Sequence, residues 1–229
     1  PINKVLNESG FTTFLKKMKM EWGEESTPES TKVTLTLGDP RIPPLWIAAQ
    51  NGDVQTCEML IKRGADIEAS DHSLDTTPLW IAAQNGHVDV CKLLIKGKAN
   101  IESNGIRGRG ATPLFIAAMN GHKEVCKILL EKGADINYKA GTIKATPLLI
   151  AAEEGHINVC NFLLTKGAGT EYENNQGVTP LFAAAMNGNI HVCNLLIERG
   201  ANINHKSKNK LSSLWVAAMS GQTGICKLL

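Results

Sequence analysis

The sequence predicts an all-α repeat fold, a solenoid of stacked helix-turn-helix units. A block of the form T-P-L-x-x-A-A-x-x-G-H recurs six times, and its second position advances by 33 to 35 residues each time. All six cysteines lie thirteen residues after that position. Each block contains two short apolar segments that need neighbours to cover them, which is the logic of a repeat array. The second positions are Pro44, Pro78, Pro113, Pro147, Pro180 and Ser213, and the cysteines are Cys57, Cys91, Cys126, Cys160, Cys193 and Cys226.

The first helix of units two to five begins at a threonine and a proline, represented by Thr77 and Pro78 in the second unit. A threonine hydroxyl caps a helix, and proline suits the first turn because an N–H there has no helical partner. The apolar segment stops near Gly86. The pattern therefore predicts a short, capped helix whose paired alanines allow close approach of the neighbouring helices.

The second helix is predicted to begin near His87 and to end at a glycine in the left-handed conformation. That glycine is Gly64, Gly133, Gly167 or Gly200 in four of the units. Lys98 stands in its place in the second unit, and a left-handed residue other than glycine costs about 1–2 kcal/mol. A cap shifted to Gly97 is the alternative. An extended stretch and a polar turn follow each second helix.

These blocks, with V-C-x-L-L and G-A-[DN]-I-[NE] after them, resemble the ankyrin-repeat family over roughly residues 40–229. The resemblance implies an ankyrin solenoid with β-hairpin-like turns projecting from one side. Gly169 and Thr170 depart from the motif, so a looser turn is expected there. The predicted repeats are 40–72, 73–106, 107–141, 142–174, 175–207 and a truncated 208–229.

One motif position departs from the family in every unit. The family usually carries a histidine two places after the proline, where it helps to tie adjacent loops. We interpret the replacements as apolar packing between units, and an aromatic row that stacks a ligand is the alternative. The replacements are Trp46, Trp80, Phe115, Leu149, Phe182 and Trp215.

Residues 1–39 lack the motif. Residues 10–22 have apolar side chains at helical spacing, which predicts an amphipathic helix. VLNESG (5–10) is similar to the AAMNG of the repeats. This favours a degenerate capping repeat, and membrane contact through the lysines of the helix is the alternative. Because the chain lacks an initiator methionine and stops within the last second helix, we expect a fragment of a longer protein.

Composition excludes several classes of protein. The net charge of +2 is too even for a strong nucleic-acid binder. No apolar run reaches the length needed to span a bilayer, and the first residues lack the apolar core of a signal peptide. Six regularly placed cysteines do not form a disulfide scaffold. They are predicted to be reduced, buried thiols, which favours an intracellular, cytoplasmic protein.

No catalytic or metal site is expected. His87 and Cys91, like two later pairs, lie four residues apart on one helix face. A structural zinc needs four converging ligands, and stacked units keep such pairs about 8–10 Å apart. A cysteine repeated six times serves the repeat rather than one active site. Neither G-x-S-x-G nor a phosphate-binding loop is present. We therefore predict a chain that is not an enzyme and holds no cofactor.

The remaining function is recognition of another protein, by a monomeric array, on a concave surface of turn tips and first-helix ends. The resemblance assigns partner contacts to these variable positions. Basic tips on either side of Glu153 and Glu154 suggest a partner with acidic ends and a less acidic middle. An alternative is that the array is the recruiting or regulatory arm of a larger enzyme or channel. Nucleic-acid binding by the basic tips is a third interpretation. The candidate residues are Gln50, Asn51, Leu74, Gln84, Asn85, Arg107, Arg109, Met119, Asn120, Ile143, Glu153, Glu154, Gln176, Met186, Asn187, Lys208 and Met219.

Overall fold

The computed structural model describes residues 42–71, 75–105 and 110–229. These residues form twelve helices, arranged as six consecutive pairs. Residues 1–39, for which a capping repeat was predicted, lie outside the described residues. The helices are α1 (Pro44–Gln50), α2 (Val54–Lys62), α3 (Pro78–Gln84), α4 (Val88–Lys96), α5 (Pro113–Met119), α6 (Lys123–Glu131), α7 (Pro147–Glu153), α8 (Ile157–Thr165), α9 (Pro180–Met186), α10 (Ile190–Glu198), α11 (Ser213–Met219) and α12 (Thr223–Leu228).

The pairs stack in series, and we number them as units one to six. The first helix of each unit packs against the first helices of the adjacent units, and second helices pack against second helices. The two helices of each unit also pack against each other. The predicted helical repeat solenoid is confirmed.

The caps follow the sequence prediction. The Thr77 hydroxyl accepts a hydrogen bond from the backbone N–H of Trp80 at 3.3 Å. Thr112, Thr146, Thr179 and Ser212 accept the equivalent bond in the units that follow. The second helices of units one to five each end with a left-handed residue. In the second unit this residue is Lys98 itself, with a φ of 69°, so the cap does not shift to Gly97.

The core runs between units. The side chains of Trp46, Trp80, Phe115, Leu149 and Phe182 are all buried, which confirms packing at the position where the family has histidine. The Trp46 indole N–H donates to the Thr76 hydroxyl at 3.0 Å, and that of Trp80 donates to the Ala111 carbonyl at 2.8 Å. These indoles therefore tie adjacent units as well as packing. Trp215 differs, because 45% of it is exposed.

The turns between units are also joined. The Glu68 carboxylate accepts from the Asn100 N–H at 2.7 Å, and Glu102 accepts from the Asp135 N–H at 2.8 Å. The turn at Gly169 keeps this link, because its N–H donates to the Asn137 side chain at 3.2 Å. Paired bridges give some turns hairpin character: Gly105 with Ala111, Ala140 with Ala145, and Lys206 with Ser212.

Candidate partner-binding surface

The first helices of units two to five expose little except their C-terminal ends. In α5, every residue from Pro113 to Ala118 is buried, Met119 is half-buried and Asn120 is exposed. A surface used for contact along the first helices is therefore restricted to their last side chains. We call these residues the helix-end row. Its members are Gln50, Asn51, Gln84, Asn85, Met119, Asn120, Glu153, Glu154, Met186, Asn187, Met219 and Ser220.

Three of the four asparagines of the row are exposed but already engaged in hydrogen bonds. The Asn120 amide donates to the Ile116 carbonyl at 2.9 Å, and the Asn187 amide donates to the Ala183 carbonyl at 3.0 Å. The Asn85 amide reaches the preceding unit and donates to the Gln50 carbonyl at 2.9 Å. These side chains close helix ends, a role that the sequence prediction missed. The sequence feature that could have indicated this role is the Asn-Gly pair at each of these helix ends.

The row is most apolar in the later units. Met119, Met186 and Met219 are half-buried, so each presents part of a flexible thioether side chain. Methionine adapts its shape to irregular apolar partners. Gln50 is exposed and Gln84 is half-buried in the first two units. The row therefore has amide side chains in units one and two and thioether side chains in units three, five and six.

Glu153 departs from the prediction of a surface position, because only 6% of it is exposed. The next unit covers this helix end. The Asn189 amide donates to the Ala152 carbonyl at 3.0 Å and to the Glu153 carbonyl at 2.8 Å. Glu154 is half-buried and is the more accessible of the two carboxylates at this helix end.

Turn tips form the other part of the predicted surface. Ile143 and Gln176 are half-buried, and Lys208 is exposed. Their backbones are linked: the Asn175 N–H donates to the Ile143 carbonyl at 2.8 Å, and the Lys208 N–H donates to the Gln176 carbonyl at 3.0 Å. Three successive tips thus lie side by side. Leu74, Arg107 and Arg109 lie outside the described residues.

A ladder of histidines holds the carbonyls of the row in place. Nε2 of His87 lies 2.9 Å from the Gln50 carbonyl, Nε2 of His122 lies 2.8 Å from that of Gln84, and Nε2 of His156 lies 2.9 Å from that of Met119. Each bond requires the proton on Nε2, where it is donated to the carbonyl. Burial lowers the pKa of His122. The Gln84 carbonyl opposes this shift, and the nearby His156 and His87 add to it.

The cysteines are free, and Cys57, Cys91, Cys126, Cys160 and Cys193 are buried. Burial disfavours the thiolate and raises the pKa of Cys126 to about 12 and that of Cys57 to about 11. The buried thiols act as small apolar core residues. Within the described ranges, no three His, Cys, Asp or Glu side chains are grouped to hold a metal ion.

Serial helix pairs whose core lies between the units define a helical repeat protein. The family model described as ankyrin repeats (3 copies) matches residues 45–140 and again residues 148–229. The chain therefore belongs to the ankyrin-repeat family. Ankyrin repeats are generally protein–protein interaction modules. A comparison with curated proteins gives no match. Among the described residues, none of the helices is long and apolar enough to cross a membrane.

Proposed function

We propose that this chain is a non-catalytic adaptor that binds another protein on the concave ankyrin surface, using the helix-end row and the turn tips. One observation carries the proposal. The first helices of units two to five bury nearly all their side chains and leave most of the row accessible, while hydrogen bonds between units fix the backbone beneath it. A surface ordered before binding loses little conformational entropy on association.

The proposed setting is intracellular and cytoplasmic, with the array acting as a monomer. The support comes from the thiols, since six free cysteines suit a reducing compartment. The partner is a protein because the row offers amide and thioether contacts and only a few charges. Because three units carry a methionine at the helix end, we expect apolar contacts to contribute most to binding on this surface.

The test is affinity capture from a cell lysate with three chains. The row variant carries Met119→Gln, Met186→Gln and Met219→Gln. The matched control carries Val54→Gln, Met59→Gln and Ile157→Gln, which are exposed apolar residues of second helices. We expect one protein to be retained by the native chain and the control but lost with the row variant.

Two outcomes would contradict the proposal. Equal retention by all three chains would place the binding site elsewhere on the molecule. The absence of any retained protein would favour the array as an arm of a larger assembly. Far-UV circular dichroism of the three chains would show that any loss of binding is not a loss of folding.

A further inference from the structure

The turn tips of units four to six form a surface whose charges all have one sign. Residues 142–144, 174–177 and 206–210 contain no Asp or Glu, and Lys144, Lys206, Lys208 and Lys210 are exposed. We call these four lysines the tip lysines. In the described residues, no carboxylate forms an ion pair with any of them. The carboxylate of Glu173, in the turn preceding one tip, faces His205 at 3.5 Å.

The tips are held rigidly despite their exposure. The Lys210 N–H donates to the Ser207 carbonyl at 2.8 Å, and the Ser207 N–H donates to the Leu211 carbonyl at 2.9 Å. The bond from Lys208 to Gln176 fixes this tip to its neighbour. The lysine side chains therefore project from an ordered backbone, and binding would restrict only their rotamers.

Apolar surface lies at a fixed distance from the tip lysines. Lys210 stands two residues before the cap of α11, and Met219 ends that helix. A helix of seven residues is about 10 Å long, so Met219 lies about 10–15 Å from the tip. An extended chain covers that distance in about three to five residues.

We propose that the tip lysines bind an acidic segment of the protein partner, and that an apolar residue three to five positions along that segment contacts Met219. This inference rests on the proposed function and specifies the partner's chemistry. Charge complementarity favours a carboxylate-rich segment, since the uncompensated cations attract it and repel basic competitors. The tips contain no aromatic side chain for stacking bases, which favours a peptide over a nucleic acid.

The test uses a defined peptide, Glu-Glu-Asp-Glu-Ser-Gly-Ser-Leu-Leu, with the isotope-labelled chain observed by NMR and with binding measured by fluorescence anisotropy. A second peptide has serine in place of both leucines. The tip variant carries Lys206→Gln, Lys208→Gln and Lys210→Gln. The matched control carries Lys127→Gln, Lys132→Gln and Lys166→Gln, so both variants have the same net charge.

We expect the first peptide to shift the amide signals of residues 206–210 and of Met219. The tip variant should bind it about tenfold more weakly, as expected for the loss of three exposed charge pairs, and the control should bind like the native chain. Affinity should fall as salt rises. The peptide without leucines should bind more weakly and should not shift the amide signal of Met219.

Four results would overturn this inference. Equal weakening in both variants would mean unspecific attraction by net charge. Tighter binding of an oligonucleotide of equal charge would make the patch a nucleic-acid site. No amide shifts at millimolar peptide would remove the patch as a binding site. A partner captured equally well by the tip variant and the native chain would also reject the subsite while leaving the helix-end row as the binding surface.

Discussion

The interfaces that join units one to four differ from those that join units four to six. We call them the front and rear interfaces. At the front, a histidine fills the space beside the glycine of the preceding unit, as His122 does at Gly86. At the rear the same space is filled by the amides of Asn189 and Gln222. The same space between units is thus filled by an imidazole ring at the front and by a neutral amide at the rear.

Trp80 provides the strongest test of the front interfaces. Its indole is fully buried and bonds the next unit, so Trp80→Ala should cost about 3–5 kcal/mol of unfolding free energy. Trp215 occupies the same motif position but is 45% exposed, and Trp215→Ala should cost less than about 1 kcal/mol. Urea unfolding followed by circular dichroism measures both. Similar losses for the two variants would show that burial between units does not decide the role of this position.

Gly86→Ala tests the histidine contact itself. An added Cβ would lie 2.6 Å from Nδ1 of His122, and the residue has a φ of 75°. The ring must move and its bond to Gln84 must weaken, so we expect a loss of about 2–3 kcal/mol from backbone strain and the bond together.

Gly64 is the matched control for this substitution. It is also left-handed, but nothing lies within 4 Å of an added Cβ. Gly64→Ala should therefore cost only the backbone strain, about 1–2 kcal/mol. If the two alanine variants unfold at the same urea concentration, the histidine contact adds no stability.

Lys98 places a strained residue among the front interfaces, and its replacement should raise stability. Lys98→Gly removes a left-handed lysine and should stabilise the chain by about 1 kcal/mol. Lys132 precedes its left-handed glycine and has a φ of −101°, so Lys132→Gly should be destabilising. The stabilisation expected for Lys98→Gly can be measured as increased protection of the α4 amides from hydrogen exchange. Unchanged protection there would mean that the local strain is relieved elsewhere.

The sequence allowed most of the fold to be predicted because each unit repeats the same local signals. In the second unit, for example, Thr77 and Pro78 mark the start of the first helix, and Cys91 marks the buried face of the second helix. These signals can be read from the unit itself, without knowledge of residues distant in the sequence. The structural features that could not be predicted from the sequence depend on how adjacent units pack against each other. The burial of Glu153 and the bond of the Asn189 amide to its carbonyl both depend on the packing of the next unit, and the indole bonds of Trp46 and Trp80 depend on the distance between two units.

The candidate surface was predicted only as a set of variable positions. The structure adds which side chains are accessible and which are engaged, as with the asparagines that close helix ends. It also shows that the histidine and the cysteine of one motif are directed to different places. Nε2 of His87 is directed to a carbonyl of the preceding unit, while Cys91 lies in the core. This directional information is absent from residue spacing.

The smallest expected effect is a pH dependence confined to the front interfaces. Because the pKa of His122 is lowered in the folded state, the unfolded chain binds more protons than the folded chain between the two pKa values. The contribution of His122 is therefore complete above the ordinary histidine pKa and is lost as the pH falls towards the folded value. The urea midpoint should decrease slightly from pH 7.5 to pH 5.5. His122→Asn, which copies the rear residue Asn189, should make the decrease smaller, whereas Asn189→Gln should leave it as it is. An unchanged pH dependence in the His122→Asn chain would show that the ring and the amide are equivalent in acid, and the distinction between front and rear interfaces would then concern packing alone.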